Sequence, residues 1–202
     1  MIDVARQVFD IEIEELVKVK NKIDNEFNNV VEVIFKTKGK VILTGIGKTG
    51  IIAKKIAASL ASTGTSAFFM QSAEALHGDL GMVNKEDIVI AISNSGSSQE
   101  ILNIIPSLKK IGCIIIAITG NKNSQLADAA DYIIDVGVDR EACPMNLAPT
   151  SSTTATLLMG DALTVALIKK REFMPENFAL YHPGGALGKR LLTKVKDIYV
   201  KR

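Results

Sequence analysis

The fold of this 202-residue chain is decided by the stretch from Ile88 to Glu100, which reads IVIAISNSGSSQE. Its apolar, largely β-branched half gives way to Ser, Asn and Gly, and a helical pattern from Ile101 to Ile111 follows. This order is typical of the strand-loop-helix corner of an α/β sheet. Ligands of such sheets bind at these corners.

The polar half of this corner suits an anion. Backbone N–H groups at a helix start and the hydroxyls of Ser93, Ser95 and Ser98, with Asn94 among them, favour a phosphate or another compact oxyanion. Glu100, about one turn into the helix, would lie beside the bound group. The alternative is that these serines only cap the helix.

Four further apolar runs predict strands, and helical patterns alternate with them. The strands are Lys40–Thr44, Ala67–Met70, Cys113–Thr119 and Tyr132–Val136, and the helices include Ile51–Leu60, Ser124–Ala129 and Ser152–Lys170. This alternation predicts an α/β fold, a three-layer sandwich with a five-stranded parallel sheet and a flavodoxin-like or Rossmann-like layout.

Two helical patterns, Asp3–Ile23 and Phe27–Phe35, precede the first strand. Their apolar stripes would cover the sheet or pack on another subunit, and the sequence leaves both open. We expect a single domain over residues 1–202, with residues 1–38 as an N-terminal helical extension.

The composition is ordinary for a soluble globular protein and leaves a small anionic ligand possible. A net charge of +2 argues against a surface built for nucleic acid. Apolar runs such as Ile114–Ile118 are far shorter than the ~20 residues of a membrane span, and no signal pattern begins the chain, so we expect a cytoplasmic protein without a membrane partner. Cys113 and Cys143 have neither CxxC spacing nor a nearby histidine pair, which argues against a disulfide framework or a structural metal site.

The glycine-rich segment Gly45–Gly50 matches two nucleotide-binding motifs only in part. GxGxxG after a strand would bind a dinucleotide, but the next strand ends without the acidic residue that holds the ribose. A P-loop would need glycine where Ile42 stands. The segment is then either a tight turn with a solvated Lys48, or, as we prefer, a loop that directs Lys48 into the cleft of Ser93.

A second hydroxyl cluster, from Thr150 to Thr154, precedes the long helix. It either caps that helix or, together with the Ser93 corner, surrounds one phosphate. Glu141, His77 and His182 lie in loop-like sequence, where each is a solvated side chain or a site residue.

These motifs together resemble the sugar isomerase (SIS) domain of the D-arabinose 5-phosphate isomerase family, of the KdsD/GutQ/KpsF type. The resemblance covers about residues 30 to 198. The motifs that carry it are Gly45–Gly50, Leu60–Thr65, His77–Met82, Ser93–Gly96, Glu141–Pro144, Leu147–Thr156, Gly160–Leu163 and His182–Gly188.

The resemblance implies an enzyme that interconverts D-arabinose 5-phosphate and D-ribulose 5-phosphate without a cofactor or a required metal. It also implies a homotetramer with active sites between subunits. The family's catalytic residues fall on Lys48, Glu100, Glu141 and His182. The implied substrate and phosphate contacts are Gly47, Thr49, Ser93, Asn94, Ser95, Ser98, Ser151, Ser152 and Thr153, and His77 is an implied contact for an inhibitory metal.

The chain departs from the family pattern at positions expected near the cleft. The family often has other residues at Ile51, Gln71-Ser72, Ser97, Asn146 and Tyr181, so the aldose recognised could be a different pentose or hexose phosphate. Family members often continue into CBS modules, and we expect a stand-alone catalytic domain here. The alternative to an enzyme is a sugar-phosphate sensor, because transcriptional regulators use the same architecture.

The chemistry of an aldose–ketose isomerase asks for these residue types. A carboxylate moves a proton between C1 and C2 through an enediol, and a second group moves the protons on the oxygens and opens the ring. We assign Glu141 to the carbon proton and His182 to the oxygens. Lys48 would stabilise the enediolate, and Glu100 would orient Lys48 or a hydroxyl.

Overall fold

The computed structural model describes residues 1–184 and contains five parallel strands. All five predicted strands are confirmed, with each end within one residue of the prediction. They are β1 (Val41–Gly45), β2 (Ala67–Phe69), β3 (Ile88–Ser93), β4 (Ile114–Thr119) and β5 (Tyr132–Asp135). Residues 185–202 lie outside the described residues. They include the end of the predicted domain and the second part of its last motif, His182–Gly188.

Helices connect these strands and precede the first one. The two predicted N-terminal helices are present as α1 (Ile2–Asn21) and α2 (Asn25–Lys36). The others are α3 (Gly47–Ser62), α4 (Ser72–Ala75), α5 (Gln99–Leu102), α6 (Ile105–Ile111), α7 (Gln125–Ala129), α8 (Ser151–Lys170) and α9 (Pro175–Tyr181), with a 3-10 turn at Asp79–Met82.

Two local predictions are wrong. The single helix expected from Ile101 to Ile111 is divided into α5 and α6, and Pro106 lies at the start of α6. Proline has no N–H for the preceding turn, and its ring crowds that turn, so the helix breaks before it. The turn expected at Gly45–Gly50 is short, because α3 already begins at Gly47.

The strand order is β2-β1-β3-β4-β5. This is the flavodoxin-like order, in which the chain leaves β1 toward one edge of the sheet and β3 toward the other. Gly45 pairs with Ile92 at the carboxyl ends of these two neighbouring strands. The crevice between the loops after β1 and β3 is therefore the expected binding place of the fold.

Both faces of the sheet are covered. Leu43, Ile90 and Ile116 point toward α2, α3 and α8, while Val89 and Ile115 point toward α5, α6 and α7. Burial on both sides explains why β1 and β3 read as unbroken apolar runs.

Close packing of α3 on α8 fixes the relative height of these two helices. A side chain at Gly160 of α8 would clash with Ile56 of α3. Helix α8 is also the one described helix long and apolar enough, by length and composition, to cross a membrane. Its buried residues pack within the core, which accounts for its apolar composition.

Candidate active site

The corner after β3 is built around Ser93, which is almost fully buried. Its Oγ lies 2.9 Å from Ser98 Oγ and accepts a hydrogen bond from the Gly96 N–H at 3.1 Å. Gly96 has a φ of +66°, and a side chain there would clash with Ser124. A glycine is therefore required for the loop to turn this tightly.

The rest of this loop is held by hydrogen bonds within the loop and by one to the loop after β4. Ser95 Oγ accepts hydrogen bonds from the N–H and the hydroxyl of Ser97, at 3.3 and 3.0 Å. Asn94 is exposed, and its carbonyl accepts the N–H of Gly120. The predicted hydroxyl cluster exists, but α5 has only four residues. Backbone N–H groups and hydroxyls of this loop, and not a long helix dipole, are the donors available to an anion.

Lys48 lies in the first turn of α3, directly after β1. It is exposed, and none of the described residues pairs with its ammonium group. Gly47 is exposed with a φ of +59°, and Thr49 is half-buried beside it. Since β1 and β3 are neighbours, Lys48 is at the same sheet edge as Ser93, as predicted.

Glu100 is the second residue of α5 and is exposed. No described residue hydrogen-bonds its carboxylate. Glu100 thus lies in the first turn of α5, closer to the helix start than the predicted one turn into the helix, and its carboxylate has no partner among the described residues.

Glu141 caps α8 from outside the helix. Its Oε2 accepts the N–H of Thr150 at 2.7 Å, the Thr150 hydroxyl at 3.0 Å and the N–H of Ser152 at 3.1 Å. The first N–H groups of a helix have no partner within the helix, and a carboxylate is a strong acceptor for them. Oε1 has no donor among the described residues, which leaves one oxygen of an anchored carboxylate free.

These contacts set the charge of Glu141. Partial burial raises the pKa of the carboxyl, but the combined hydrogen bonds from Ser152 and Thr150 outweigh it and leave the pKa below its ordinary value. Glu141 is therefore an anion at neutral pH.

The hydroxyl cluster at the start of α8 has three different environments. Ser151 is fully buried, and its Oγ has no hydrogen-bond partner among the described residues. Ser152 is also buried and uses its N–H for Glu141. The Thr153 hydroxyl donates to the carbonyl of Thr150 at 2.9 Å. Of the three predicted phosphate contacts, Ser151 is the one whose fully buried hydroxyl has no partner among the described residues.

The starts of α3 and α8 lie at one edge of the sheet. Both helices begin at the carboxyl edge, since they follow β1 and β5. Ile56 is nine residues past the first residue of α3, and Gly160, its contact, is nine past the first residue of α8. Equal rise along the two helices places their starts at a similar height, so the structure brings Lys48 and Glu141 to the same end of the molecule.

The structure does not place His182 at the end of the molecule where Lys48 and Glu141 lie. It follows α9, its Nδ1 lies 2.9 Å from the carbonyl of Phe178, and its ring stacks on Phe178. Helix α9 comes after the 20-residue α8, which spans about 30 Å from the site edge to the opposite edge of the sheet. Phe173, which precedes α9, lies against Gly64 at that opposite edge.

The remaining predicted positions are at the surface or in the core. His77 is exposed, and no three His, Cys, Asp or Glu side chains within residues 1–184 form a group that could hold a metal ion. Among the departures from the family pattern, Ile51 and Gln71 are exposed, and Tyr181 stacks on Phe173. Ser72 is buried and bonds Thr44 at 2.7 Å.

Sequence reasoning named Thr150 and Asn146 but missed their contacts with Glu141. Thr150 supplies two of the three donors to Glu141, and its position one residue before the helix was the available signal. Asn146 accepts the Glu141 N–H at 2.7 Å and has a φ of +53°. An αL asparagine is a recognisable turn former, but its partner depends on the loop conformation.

Comparison with known proteins identifies the family. The SIS domain profile matches residues 34–166. The chain belongs to the SIS domain family. This agrees with the sequence resemblance and with the observed flavodoxin-like sheet of the SIS domain.

Curated proteins similar to this chain include two named as arabinose 5-phosphate isomerases. Arabinose 5-phosphate isomerase KdsD of Escherichia coli K12 is 55% identical over 194 residues, which are 96% of this chain and 59% of that protein. KdsD of Francisella tularensis is 52% identical over 203 residues, or 99% of this chain and 62% of that protein. The chain thus spans about three fifths of the length of these curated relatives.

A solved structure has a similar fold over nearly all of its length. It comes from E. coli CFT073 and is in complex with A5P. It superimposes on this SIS domain with a TM-score of 0.88 at 44% identity, covering 90% of this chain and 97% of that one.

Proposed function

We propose that this SIS domain protein is an aldose–ketose isomerase that interconverts D-arabinose 5-phosphate and D-ribulose 5-phosphate. The observation that carries the proposal is the Glu141 carboxylate, which has one oxygen anchored by three donors and the other free. A base held in this way needs no reorganisation when it removes a carbon-bound proton. The KdsD relatives and the A5P complex support the same substrate class.

Glu141 is the proposed base for the carbon proton. Its free Oε1 takes the proton from C2 of the open-chain aldose and returns it to C1 of the enediol. Lys48, exposed at the same edge, stabilises the negative charge that develops on the enediolate oxygens, and Glu100 orients Lys48 or a sugar hydroxyl. His182 is the group proposed to move the protons on the sugar oxygens O1 and O2.

The phosphate is proposed to lie between the β3 corner and the start of α8. The contacts are the donors at Gly47, Thr49, Ser93, Asn94, Ser95, Ser98, Ser151, Ser152 and Thr153. The buried Ser151 hydroxyl, unpartnered among the described residues, supports this assignment, because a buried polar group without a partner is costly.

His182 supports a site shared between subunits. In its own chain it follows Tyr181, which stacks on Phe173 near Gly64, at the opposite edge of the sheet from Glu141. It reaches a Glu141 only in a neighbouring copy. We therefore propose a homotetramer with active sites between subunits, and exposed apolar residues along α1, such as Phe9, Ile13 and Val17, supply surface for such contacts.

The remaining assignments extend the same proposal. Residues 1–202 form one SIS domain, of which residues 1–38 are a helical extension. The protein acts in the cytoplasm on a sugar phosphate, without nucleic acid or membrane partners and without a cofactor or a required metal. Zinc bound at His77 would only inhibit.

Solvent exchange tests the proposed reaction. Protein pretreated with a chelator is incubated in D₂O with D-arabinose 5-phosphate and, in parallel, with a panel of other pentose and hexose phosphates. We expect D-ribulose 5-phosphate to form and deuterium to enter C2 of the aldose. Turnover of another sugar phosphate alone would correct the substrate. No turnover and no exchange with any of them would refute the enzyme and leave a sugar-phosphate sensor.

A further inference from the structure

The segment that carries Glu141 has neither helix nor strand. It runs from the end of β5 to the start of α8, residues 136–150. Buried Val136 and Ala142 anchor it to the core, and hydrogen bonds fix the polar residues between them. On its far side, Glu141 accepts the N–H of Ser152 in α8, and the bonds of Glu141 to Asn146 and Thr150 close the loop before the helix. Its near side needs a separate support.

Helix α1 supplies that support through Glu15. This side chain is fully buried. Its Oε2 accepts the N–H of Asp139 at 2.6 Å, and its Oε1 accepts from Lys18 Nζ at 2.8 Å. Lys18 in turn bonds the carboxylate of Asp139 at 2.9 Å. A buried carboxylate with a partner on each oxygen is held in one geometry.

Neighbouring contacts act on the same stretch. Glu14 pairs with Arg140 at 2.7 Å, and Lys22 donates to the carbonyl of Gly137 at 2.8 Å. The three residues from Asp139 to Glu141 are thus fixed by α1 on one side and by α8 on the other. Glu15 is the most buried member of this set.

A role in stability alone does not explain why a glutamate, and not an apolar residue, occupies position 15. It lies in the stripe of α1 that faces the core, next to the partly buried Leu16 and four residues before the buried Val19. An apolar residue in such a stripe is often as stabilising as a buried ion pair or more so. What an apolar residue does not offer is an acceptor for the Asp139 N–H.

We propose that Glu15 is a positioning residue for the isomerase reaction, which holds Glu141 in place through the backbone of Asp139. This inference rests on the proposed function. Glu15 touches no substrate. Displacement of a catalytic group by about 1 Å can lower a rate by about 10²-fold, so the contact two residues before Glu141 is close enough to matter.

Two conservative substitutions of Glu15 distinguish the effect of its side-chain length from the effect of its charge. Glu15→Asp keeps the charge but is one methylene shorter, so it does not reach both Lys18 and the Asp139 N–H. Glu15→Gln keeps the reach and one acceptor oxygen but loses the charge. Glu12→Asp is the matched control, since Glu12 lies on the same helix and accepts from Thr154 of α8 instead of from the Asp139 segment.

Steady-state kinetics on D-arabinose 5-phosphate is the first readout. We expect Glu15→Asp to lower kcat by about 10-fold to 10²-fold with KM within about threefold, because the phosphate contacts lie elsewhere. Glu15→Gln should retain at least about a third of kcat by the same reasoning, and so should Glu12→Asp. Equal effects of Glu15→Asp and Glu12→Asp, or a larger loss in Glu15→Gln, would overturn the proposal.

Hydrogen exchange is the second readout and does not depend on activity. Peptides from residues 137–150 should exchange faster in Glu15→Asp than in wild type or Glu12→Asp. A wild-type protein without isomerase activity refutes the proposed function, while this exchange contrast still decides whether Glu15 holds the segment. Unchanged exchange in Glu15→Asp would contradict the inference even if the enzyme is active.

Discussion

The Glu141 carboxylate lies 2.7 Å from the backbone nitrogen of Thr150, nine residues further along the chain. One side chain therefore closes the loop before α8, caps that helix and presents a free oxygen at the carboxyl edge of the sheet. Structural and chemical roles of Glu141 are separable, because they use different oxygens.

Replacement of Glu141 by glutamine should remove turnover and keep binding. Glutamine retains an oxygen acceptor for the helix start but is no base, so kcat should fall by about 10²-fold to 10⁴-fold. The dissociation constant for the sugar phosphate should change by less than about tenfold, or 1.4 kcal/mol, since hydroxyls and backbone N–H groups hold the phosphate. Kinetics and calorimetry measure the two quantities.

The exposed Glu74→Gln is the charge-matched control for this prediction. It should leave both kcat and the dissociation constant near wild type. A variant Glu141→Gln with wild-type turnover would exclude Glu141 as the carbon base and shift that role to Glu100.

The cap on α8 also predicts a pH dependence of stability. The pKa of Glu141 is lower in the folded chain than its ordinary value of 4.5. The ionised carboxylate therefore stabilises the fold at pH values above about 4.5, and this contribution is lost as the pH falls through the folded-state pKa.

Denaturant titrations of wild type and Glu141→Gln at a series of pH values check this dependence. At pH 7 we expect the wild type to be more stable by about 0.5 kcal/mol, the usual contribution of a negative charge near a helix N-terminus, because glutamine keeps the acceptor but not the charge. The difference should shrink below pH 4.5. A difference that stays constant from pH 7 to pH 3 would show that the carboxylate charge does not hold the helix start.

Ser95 tests the phosphate site. Phosphate contacts are made in the ground state and in the transition state, so Ser95→Ala should raise KM several-fold with a small change in kcat. Affinity for inorganic phosphate should fall in parallel. Ser107→Ala, an exposed serine in α6, is the control. Unchanged affinity for both ligands would place the phosphate elsewhere.

Much of the fold was predictable because the strands are buried on both faces. Runs such as Ile88–Ile92 and Ile114–Ile118 have no polar residue and end in turn formers, which leaves little choice of element. The division between α5 and α6 was not predicted, because the apolar spacing continues across Pro106. The signal for it was Pro106 itself, since proline interrupts a helix.

The site was predictable as a set of residue types but not as a set of contacts. Ser93 and Lys48 follow strands, so topology alone brings them to one edge. The partners of Glu141 depend on how an irregular loop closes, and the Glu15 contact joins residues 124 positions apart. Local patterns in a single sequence carry no information about such pairings.

The two cysteines should differ in reactivity. Burial raises the pKa of Cys113 to about 11. The backbone N–H groups of Ala148, Leu147 and Met145 lower the pKa of Cys143 below its ordinary value. Because the thiolate is the nucleophile, iodoacetamide should modify Cys143 first, at pH 7 to 8, and Cys113 only in unfolded protein.

Peptide mass spectrometry against time and pH measures these rates. Cys143 lies two residues after Glu141, so sugar phosphate should slow its modification in the folded protein. Equal rates for the two thiols would contradict the described environment of Cys143.

Subunit mixing tests the central claim, an isomerase whose sites combine Glu141 of one subunit with His182 of another. Glu141→Gln and His182→Asn proteins are each purified as inactive enzymes, denatured together in equal amounts and refolded. If sites are shared pairwise, half of the random pairs are mixed and each has one intact site, so about a quarter of wild-type activity should return. No recovery from correctly refolded mixtures would contradict a shared site and the role assigned to His182.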